Sequence, residues 1–266
     1  MNIQSLAYRT DLFFPRFDGK VTDRGNYTVI LTPSNPTFHW GNFLLFVQPP
    51  GSGDFDRWQR LFAEEVGTPP IINHVAFGWD STKGETGDIQ PFLDAGLRLN
   101  ASVVLTTQHV EPPPKYNREV VIRPLREDWE WASALDTQIA CRPPEHALPG
   151  YIIYRTRKME RYRAMSEAGL GERFGAFLGQ QAVGDLGVFV QGGVGRFQSV
   201  STHPDFRRRG ICGTLVYEAA RYAFVHLGAQ TLVMVADEHY HAAKIYESVG
   251  FRPTEHQIGM DWWERE

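Results

Sequence analysis

Apolar positions recur at helical spacing through 128–140, where Trp129, Ala132, Leu135 and Ile139 mark one side, and a second helix is expected over 152–168. Short apolar runs bounded by turn residues follow. Residues 120–122 read as a strand, 174–183 and 186–191 as a hairpin with glycines at its bends, and 197–202 as a strand entered through Gly192-Gly193. A long helix is expected over 211–227, stopped by Gly228, and 231–236 is apolar enough for a strand covered on both faces. A short helix at 242–249 and a last strand at 258–262 complete the series. Strands alternating with helices make the fold class α/β.

Residues 1–110 pass through a similar order. A strand at 43–47 leads through Pro49-Pro50-Gly51-Ser52-Gly53-Asp54 into an amphipathic helix carrying Phe55, Trp58, Leu61, Phe62 and Val66 and ending at Gly67. A strand at 71–79, the segment Phe92-Leu93-Asp94-Ala95-Gly96-Leu97 and a strand at 102–107 follow. Then Glu111-Pro112-Pro113-Pro114-Lys115 fixes φ and removes backbone donors, which reads as a semi-rigid spacer. The expected division is a smaller α/β domain at 1–110, a proline-rich linker at 111–117 and a larger domain at 118–266.

Composition narrows the function more than the fold. With 42% hydrophobic residues in 266, the chain can build a core, and its net charge of −4 disfavours a general nucleic-acid binder, so any anion site has to be local. Cys141 and Cys212 are the only cysteines and offer neither a disulfide framework nor metal-ligand spacing, so no metal is expected. The first sixteen residues lack the basic-then-apolar order of a signal peptide, and no apolar run approaches the roughly 18 residues a membrane span needs. A cytoplasmic monomer or homodimer without membrane or nucleic-acid partners is the expectation.

Candidate chemistry concentrates in Val200-Ser201-Thr202-His203-Pro204-Asp205-Phe206-Arg207-Arg208-Arg209-Gly210-Ile211-Cys212-Gly213-Thr214. A strand ends, a basic loop follows and a long helix starts. Such a helix start aims several unbonded N–H groups at one spot, where the helix dipole also favours negative charge. Gly210 and Gly213 would let an anion approach the backbone, and the arginines add counter-charge. The pattern suits a pyrophosphate held without a P-loop lysine. A solvated surface cluster would explain the arginines alone, and not the strand, glycines and helix start that coincide with them.

This loop resembles the R/Q-x-x-G-x-G/A signature of the GNAT acetyltransferase superfamily, with Arg207, Gly210 and Cys212 in the marked places and cysteine standing where glycine or alanine is usual. Downstream, Ala243-Lys244-Ile245-Tyr246-Glu247-Ser248-Val249-Gly250-Phe251 is similar to the family's A-x-x-[LI]-Y-x-x-x-G-F element, so the resemblance covers about 118 to 262. It implies a mixed, bifurcated sheet flanked by helices, with acetyl-CoA as co-substrate. Val200, Ser201 and Thr202 would hold the pantetheine arm, and Arg207, Arg208, Arg209, Gly210, Ile211, Cys212, Gly213 and Thr214 the pyrophosphate. His239, where many relatives carry a cofactor-facing asparagine, and Tyr246 would also line the cofactor.

The resemblance further implies acetyl transfer to a primary amine by direct attack in a ternary complex. Tyr246 is the expected general acid, since a phenol with a pKa near 10 is protonated at working pH and can protonate the departing thiolate. Gln198 stands where several relatives place a glutamate base. An amide cannot usefully accept a proton near neutral pH, so Gln198 is expected to orient a water or the substrate, and the base stays open among His203, His239 and His241. The acceptor is a small-molecule amine or a peptide or protein N-terminus.

The first half would be a degenerate GNAT-like copy, an arrangement similar to that of mycothiol synthase. Its loop has no arginine and carries Asp54, which repels a pyrophosphate, and Phe92 stands where Tyr246 would be, so no cofactor is expected there. His39, Trp40 and Trp79 are candidates for walling the acceptor pocket. The alternative reading is a non-catalytic acyl-CoA-binding sensor or scaffold, which Gln198 and the worn first half would suit.

Overall fold

The computed structural model of the chain describes residues 1–238 and 242–264. They divide into two compact units, Met1–Val104 joined by the segment from Glu255 onward, and Leu105–Thr254.

In the first unit, helices α1 (Leu6–Asp11) and α2 (Phe13–Asp18) precede strands β1 (Lys20–Asp23), β2 (Tyr27–Leu31) and β3 (Phe43–Phe46). The three strands form an antiparallel ladder. Helix α3 (Asp54–Glu65) then crosses to β4 (His74–Trp79), which lies parallel to β3. Helix α4 (Gln90–Asp94) and strand β5 (Arg98–Thr107) follow, with 98–104 of β5 in this unit. The apolar stripe of α3 is what closes the core: Trp58 stacks on Phe46 with ring centroids 3.7 Å apart, and Phe77 and Phe92 meet Trp58 edge-on. His39, Trp40 and Trp79 all belong to this unit. Trp79 is fully buried, Trp40 donates to Asp261 at 3.1 Å, and the His39 ring stacks on His74.

The second unit begins with β6 (Val121–Pro124), α5 (Asp128–Ala140) and α6 (Leu148–Glu167). Helix α5 starts in a capping box between Glu127 and Glu130, and α6 starts ahead of the expected 152 because Pro149 fits its first turn. Strands β7 (Gly171–Leu178), β8 (Gln181–Gln191) and β9 (Val194–Thr202) are antiparallel neighbours, and helix α7 (Ile211–His226) crosses to β10 (Thr231–Asp237), parallel to β9. The order is β10-β9-β8-β7-β6. The hairpin bend lies at Gly179, not at Gly184-Asp185. Gly184 and Gly187 sit inside β8 because neighbours crowd them: a Cβ on Gly184 would come within 3.3 Å of Ile211, and one on Gly187 within 2.7 Å of Phe189.

Helix α8 (Ala242–Glu247) leads into β11 (Arg252–Trp263). Residues 259–263 of that strand pair antiparallel with β4, so the C-terminal segment completes the first unit and not the second, as the expected 118–266 domain would have had it. The expected linker at 111–117 is likewise no free spacer. The Glu111 amide donates to the Val249 carbonyl at 3.0 Å, and Asn117 is bonded to α7 and the loop before it.

Candidate active site

The site grows from an irregularity in β9. Gly187 of β8 pairs with Gln198 and Asp185 with Ser201, so Ser199 and Val200 together oppose only Leu186. This is a β-bulge, and it opens the strand edge. Ser199 has φ 49°, a left-handed conformation that costs a side-chain-bearing residue roughly 1–2 kcal/mol. Its surroundings hold it there. The Ser199 carbonyl accepts from Gln138 Nε2 at 2.8 Å and from Arg173 at 3.4 Å. Arg173 and Asp185, both fully buried, form an ion pair, and Asp185 also accepts from Gln138 at 2.7 Å and from the Ser201 hydroxyl.

Beyond β9 the chain turns sharply. His203 accepts the Asp205 amide on its Nδ1 and so caps the 3-10 turn at Pro204–Phe206. Arg208 at φ 64° and Gly210 at φ 80° are both left-handed, with Arg209 between them. Such alternation turns successive N–H groups toward one concavity. Among the described residues, the amides of Ile211, Cys212 and Gly213 at the start of α7 have no hydrogen-bond acceptor. These are the orphan donors of a helix start, with the positive end of its dipole behind them.

The glycines here serve a different purpose from the one expected. A Cβ on Gly210 would overlap the Lys115 carbonyl oxygen, and one on Gly213 would lie 3.1 Å from Pro113. They admit the chain's own 113–115 segment. That segment is clasped to the turn: Lys115 Nζ donates to the Arg208 carbonyl, Asn117 Nδ2 to the Arg209 carbonyl at 2.9 Å, and the Asn117 amide to Thr214 Oγ1 at 2.8 Å. No feature of the proline run itself announces this clasp.

A cavity of about 750 Å³ joins these parts. Val200, Ser201 and Thr202 line it along β9; Arg207, Arg208, Gly210, Ile211, Cys212 and Gly213 line it at the turn; Tyr246 lines it from α8. Thr202 Oγ1 is buried and has no hydrogen-bond partner, and Val200 lies in the bulge without a register partner. Burial pushes the Cys212 thiol up to about 12, so it stands in the wall as a neutral side chain. Two expected members are turned away. Arg209 lies over the Phe206 ring at 5.1 Å and reaches the Asp205 carbonyl, and Thr214 is buried with its hydroxyl donating to the Gly210 carbonyl at 2.9 Å. His239 and His241 lie outside the described residues. Gln198 stands at the bulge with its Oε1 accepting from Tyr162 at 3.2 Å. Residues not foreseen, Pro113, Lys115, Cys141 and Ile245 among them, also line it.

Residues 131–251 match the model of the acetyltransferase (GNAT) family. This part of the chain is a GNAT-family domain. Both sequence elements, Arg207–Cys212 and Ala243–Phe251, lie within the match, and acyl-CoA-dependent acetyl transfer is the family's chemistry. Unbonded amides, two arginines and an orphaned hydroxyl in one cavity fit acetyl-CoA as co-substrate. The whole chain shares its fold with solved structures of low identity. A functionally unknown conserved protein from Staphylococcus epidermidis is 16% identical, with 94% of this chain and 95% of that one covered at a TM-score of 0.68. A GCN5-related N-acetyltransferase from Kribbella flavida is 13% identical over 97% and 96%, at 0.65. A tandem GNAT protein from the clavulanic acid biosynthesis pathway is 12% identical over 78% and 67%, at 0.52. None of the curated proteins matches the chain in sequence. Among the described residues, no helix is long and apolar enough to cross a membrane and no group of His, Cys, Asp or Glu is placed to hold a metal ion.

Proposed function

We propose that the GNAT domain transfers the acetyl group of acetyl-CoA to a primary amine, by direct attack within a ternary complex. The observation that carries this reading is one cavity lined both by the residues whose amides stand unbonded at the start of α7 and by Tyr246. The amides of Ile211–Gly213 with Arg207 and Arg208 hold the pyrophosphate; the main chain at Val200, left without a register partner by the bulge, holds the pantetheine arm. Acetyl-CoA supplies the activated thioester. The neutral amine nitrogen bonds to the carbonyl carbon, the C–S bond breaks, the sulfur takes the Tyr246 phenolic proton, and the proton on the new amide nitrogen passes to water beside Gln198. The acceptor is a small molecule or a peptide or protein N-terminus.

The first unit is proposed to be a worn copy of the same fold, so that the chain is a tandem GNAT protein with one working site. Both units run antiparallel strand, loop, helix, parallel strand, short helix, and Gly53 before α3 has the φ of 80° that Gly210 has before α7. In the first unit, however, Asp54 accepts the Gly51 amide at 2.8 Å, so the loop's own carboxylate takes the place of an anion.

Calorimetry with acetyl-CoA and thiol release against an amine panel test the reading. Tyr246→Phe is expected to lower kcat about 100-fold with cofactor affinity unchanged. Failure of the protein to bind acetyl-CoA, or unaltered turnover in that variant, would overturn it.

A further inference from the structure

Helix α6 presents Tyr151, Arg155 and Tyr162, at intervals of four and seven residues, to the bulge of β9. Arg155 is the unusual member. Its Nε donates to the Tyr151 hydroxyl at 2.8 Å and its Nη1 to Ser199 Oγ at 3.3 Å, and its guanidinium carbon lies 5.0 Å from the Tyr151 ring and 5.1 Å from the Tyr154 ring. It is half-buried, and among the described residues no carboxylate pairs with it. A guanidinium has five N–H groups in a planar fork. With one used on Nε and one on Nη1, three remain, two of them on Nη2. A half-buried guanidinium with donors to spare and no acidic partner among the described residues matches a carboxylate, its usual charge-assisted acceptor.

The surroundings reinforce the positive field. Arg173 is fully buried, and its Nε and Nη1 find no acceptor beyond the ion pair its Nη2 makes with Asp185. Tyr162, also buried, would be pushed up by burial, yet the charges of Lys158, Arg173 and Arg155 with a hydrogen bond from Ser199 bring it below the usual tyrosine value. The phenol oxygen reports the local potential, and that potential is positive. An unsubstituted ammonium would be repelled from such a place; an anion is drawn to it.

We propose that the acceptor amine carries a carboxylate, as an amino acid does, and that Arg155 binds that carboxylate while the amine faces the bulge at Ser199. This rests on the acetyl transfer proposed above. Arg155 is then a specificity-determining residue, and the acceptor is small enough to place its two groups between α6 and β9. Polyamines and aminoglycosides are disfavoured by the same field.

The test uses the full chain saturated with coenzyme A, and titrates N-acetylated amino acids against carboxylate-free amides of matching size. Product binding needs no turnover. At least one N-acetylamino acid is expected to bind about 30-fold or more tightly than its carboxylate-free partner. Arg155→Gln removes that preference and leaves coenzyme A affinity within about twofold, while Arg155→Lys, which keeps the charge without the fork, retains part of it. An N-acetylaminoalkyl phosphate preferred over every carboxylate would replace the carboxylate by phosphate and so overturn the assignment. The same holds if no carboxylate is preferred, or if the preference survives Arg155→Gln. Coenzyme A failing to bind at all sinks the parent reading instead, and is seen in the first titration, before any acceptor is added.

Discussion

The two ends of α7 allow the clasp by 113–117 to be measured. Gly210 precedes the helix at φ 80° and Gly228 follows it at φ 69°. A methyl group added at either position meets the same backbone strain, roughly 1–2 kcal/mol. At Gly228 nothing lies within 4 Å of the added Cβ, whereas at Gly210 the Lys115 carbonyl occupies the space. Gly210→Ala must therefore displace the strap and strain the bonds from Lys115 Nζ and the two from Asn117. At about 1 kcal/mol for each bond lost, this adds about 2–3 kcal/mol to the strain. In thermal melts Gly228→Ala is expected to lower Tm by about 3–5 °C and Gly210→Ala by about 10 °C, taking roughly 3 °C per kcal/mol for a unit of this size. Calorimetry supplies the second arm. Gly228→Ala should bind acetyl-CoA as the parent does, and Gly210→Ala should bind at least tenfold more weakly, because its distortion falls on the amides of the cradle. Equal losses of Tm, or unchanged acetyl-CoA affinity in Gly210→Ala, would refute the argument that the strap and the cradle are one structure.

Other outcomes follow from the same geometry. Asp185→Asn leaves Arg173 buried without its counter-charge, which costs about 3–5 kcal/mol, read as a Tm drop of about 10 °C; a drop of under 2 °C would contradict the role given to the pair. Arg207 is exposed, so Arg207→Gln should weaken acetyl-CoA about three- to tenfold at low salt, and the gap should close in high salt; a gap independent of salt would show that its charge is not what matters. Cys212 has a folded-state pKa raised to about 12, so the folded thiol stays protonated while the unfolded one ionises above about 8.5. Stability is then fully present below that value and lost as pH rises toward 12, by at most about 1.4 kcal/mol per pH unit. Urea melts of Cys212→Ala should lack that slope, and parallel slopes in both proteins would exclude it.

Which parts of this site could be read from the chain follows from how local each one is. The turn Arg207–Gly213 and the Tyr246 element are contiguous in sequence, and helix-start physics assigns them a use before any partner is known. The strap could not be read this way: Pro113 and Lys115 acquire their role from the missing Cβ atoms of Gly213 and Gly210, roughly a hundred positions away. The same blindness misplaced the hairpin bend. Gly184 and Gly187 look like turn residues in a linear reading, yet each is a close-approach glycine inside β8, and only the neighbours Ile211 and Phe189 say so. Arg155 left a trace that could have been followed, since Tyr151, Arg155 and Tyr162 share one face of a helix at spacings of four and seven. The C-terminal strand could be read as a strand but not placed, because its partner, β4, lies far back in the chain.

The two glycine-entered helices differ in charge and not in backbone shape. Gly53 and Gly210 have the same φ and both enter a crossover helix between parallel strands. In the first unit, the helix opens on Asp54, whose carboxylate accepts the Gly51 amide and pairs with Arg57. An anion arriving there would meet a donor already taken and a negative charge within reach. In the second unit, the corresponding first residue is Ile211, the nearest carboxylate of the loop, Asp205, is exposed, and the amides of 211–213 stay unbonded. One acidic residue at the first helical position thus puts a negative charge at the helix start of the first unit, where the second unit has Ile211. Opening the first unit to an anion would need the converse of the usual stabilising choice: removing a good helix-start acid at a cost of about 0.5–1 kcal/mol, which takes away the negative charge and frees the Gly51 amide.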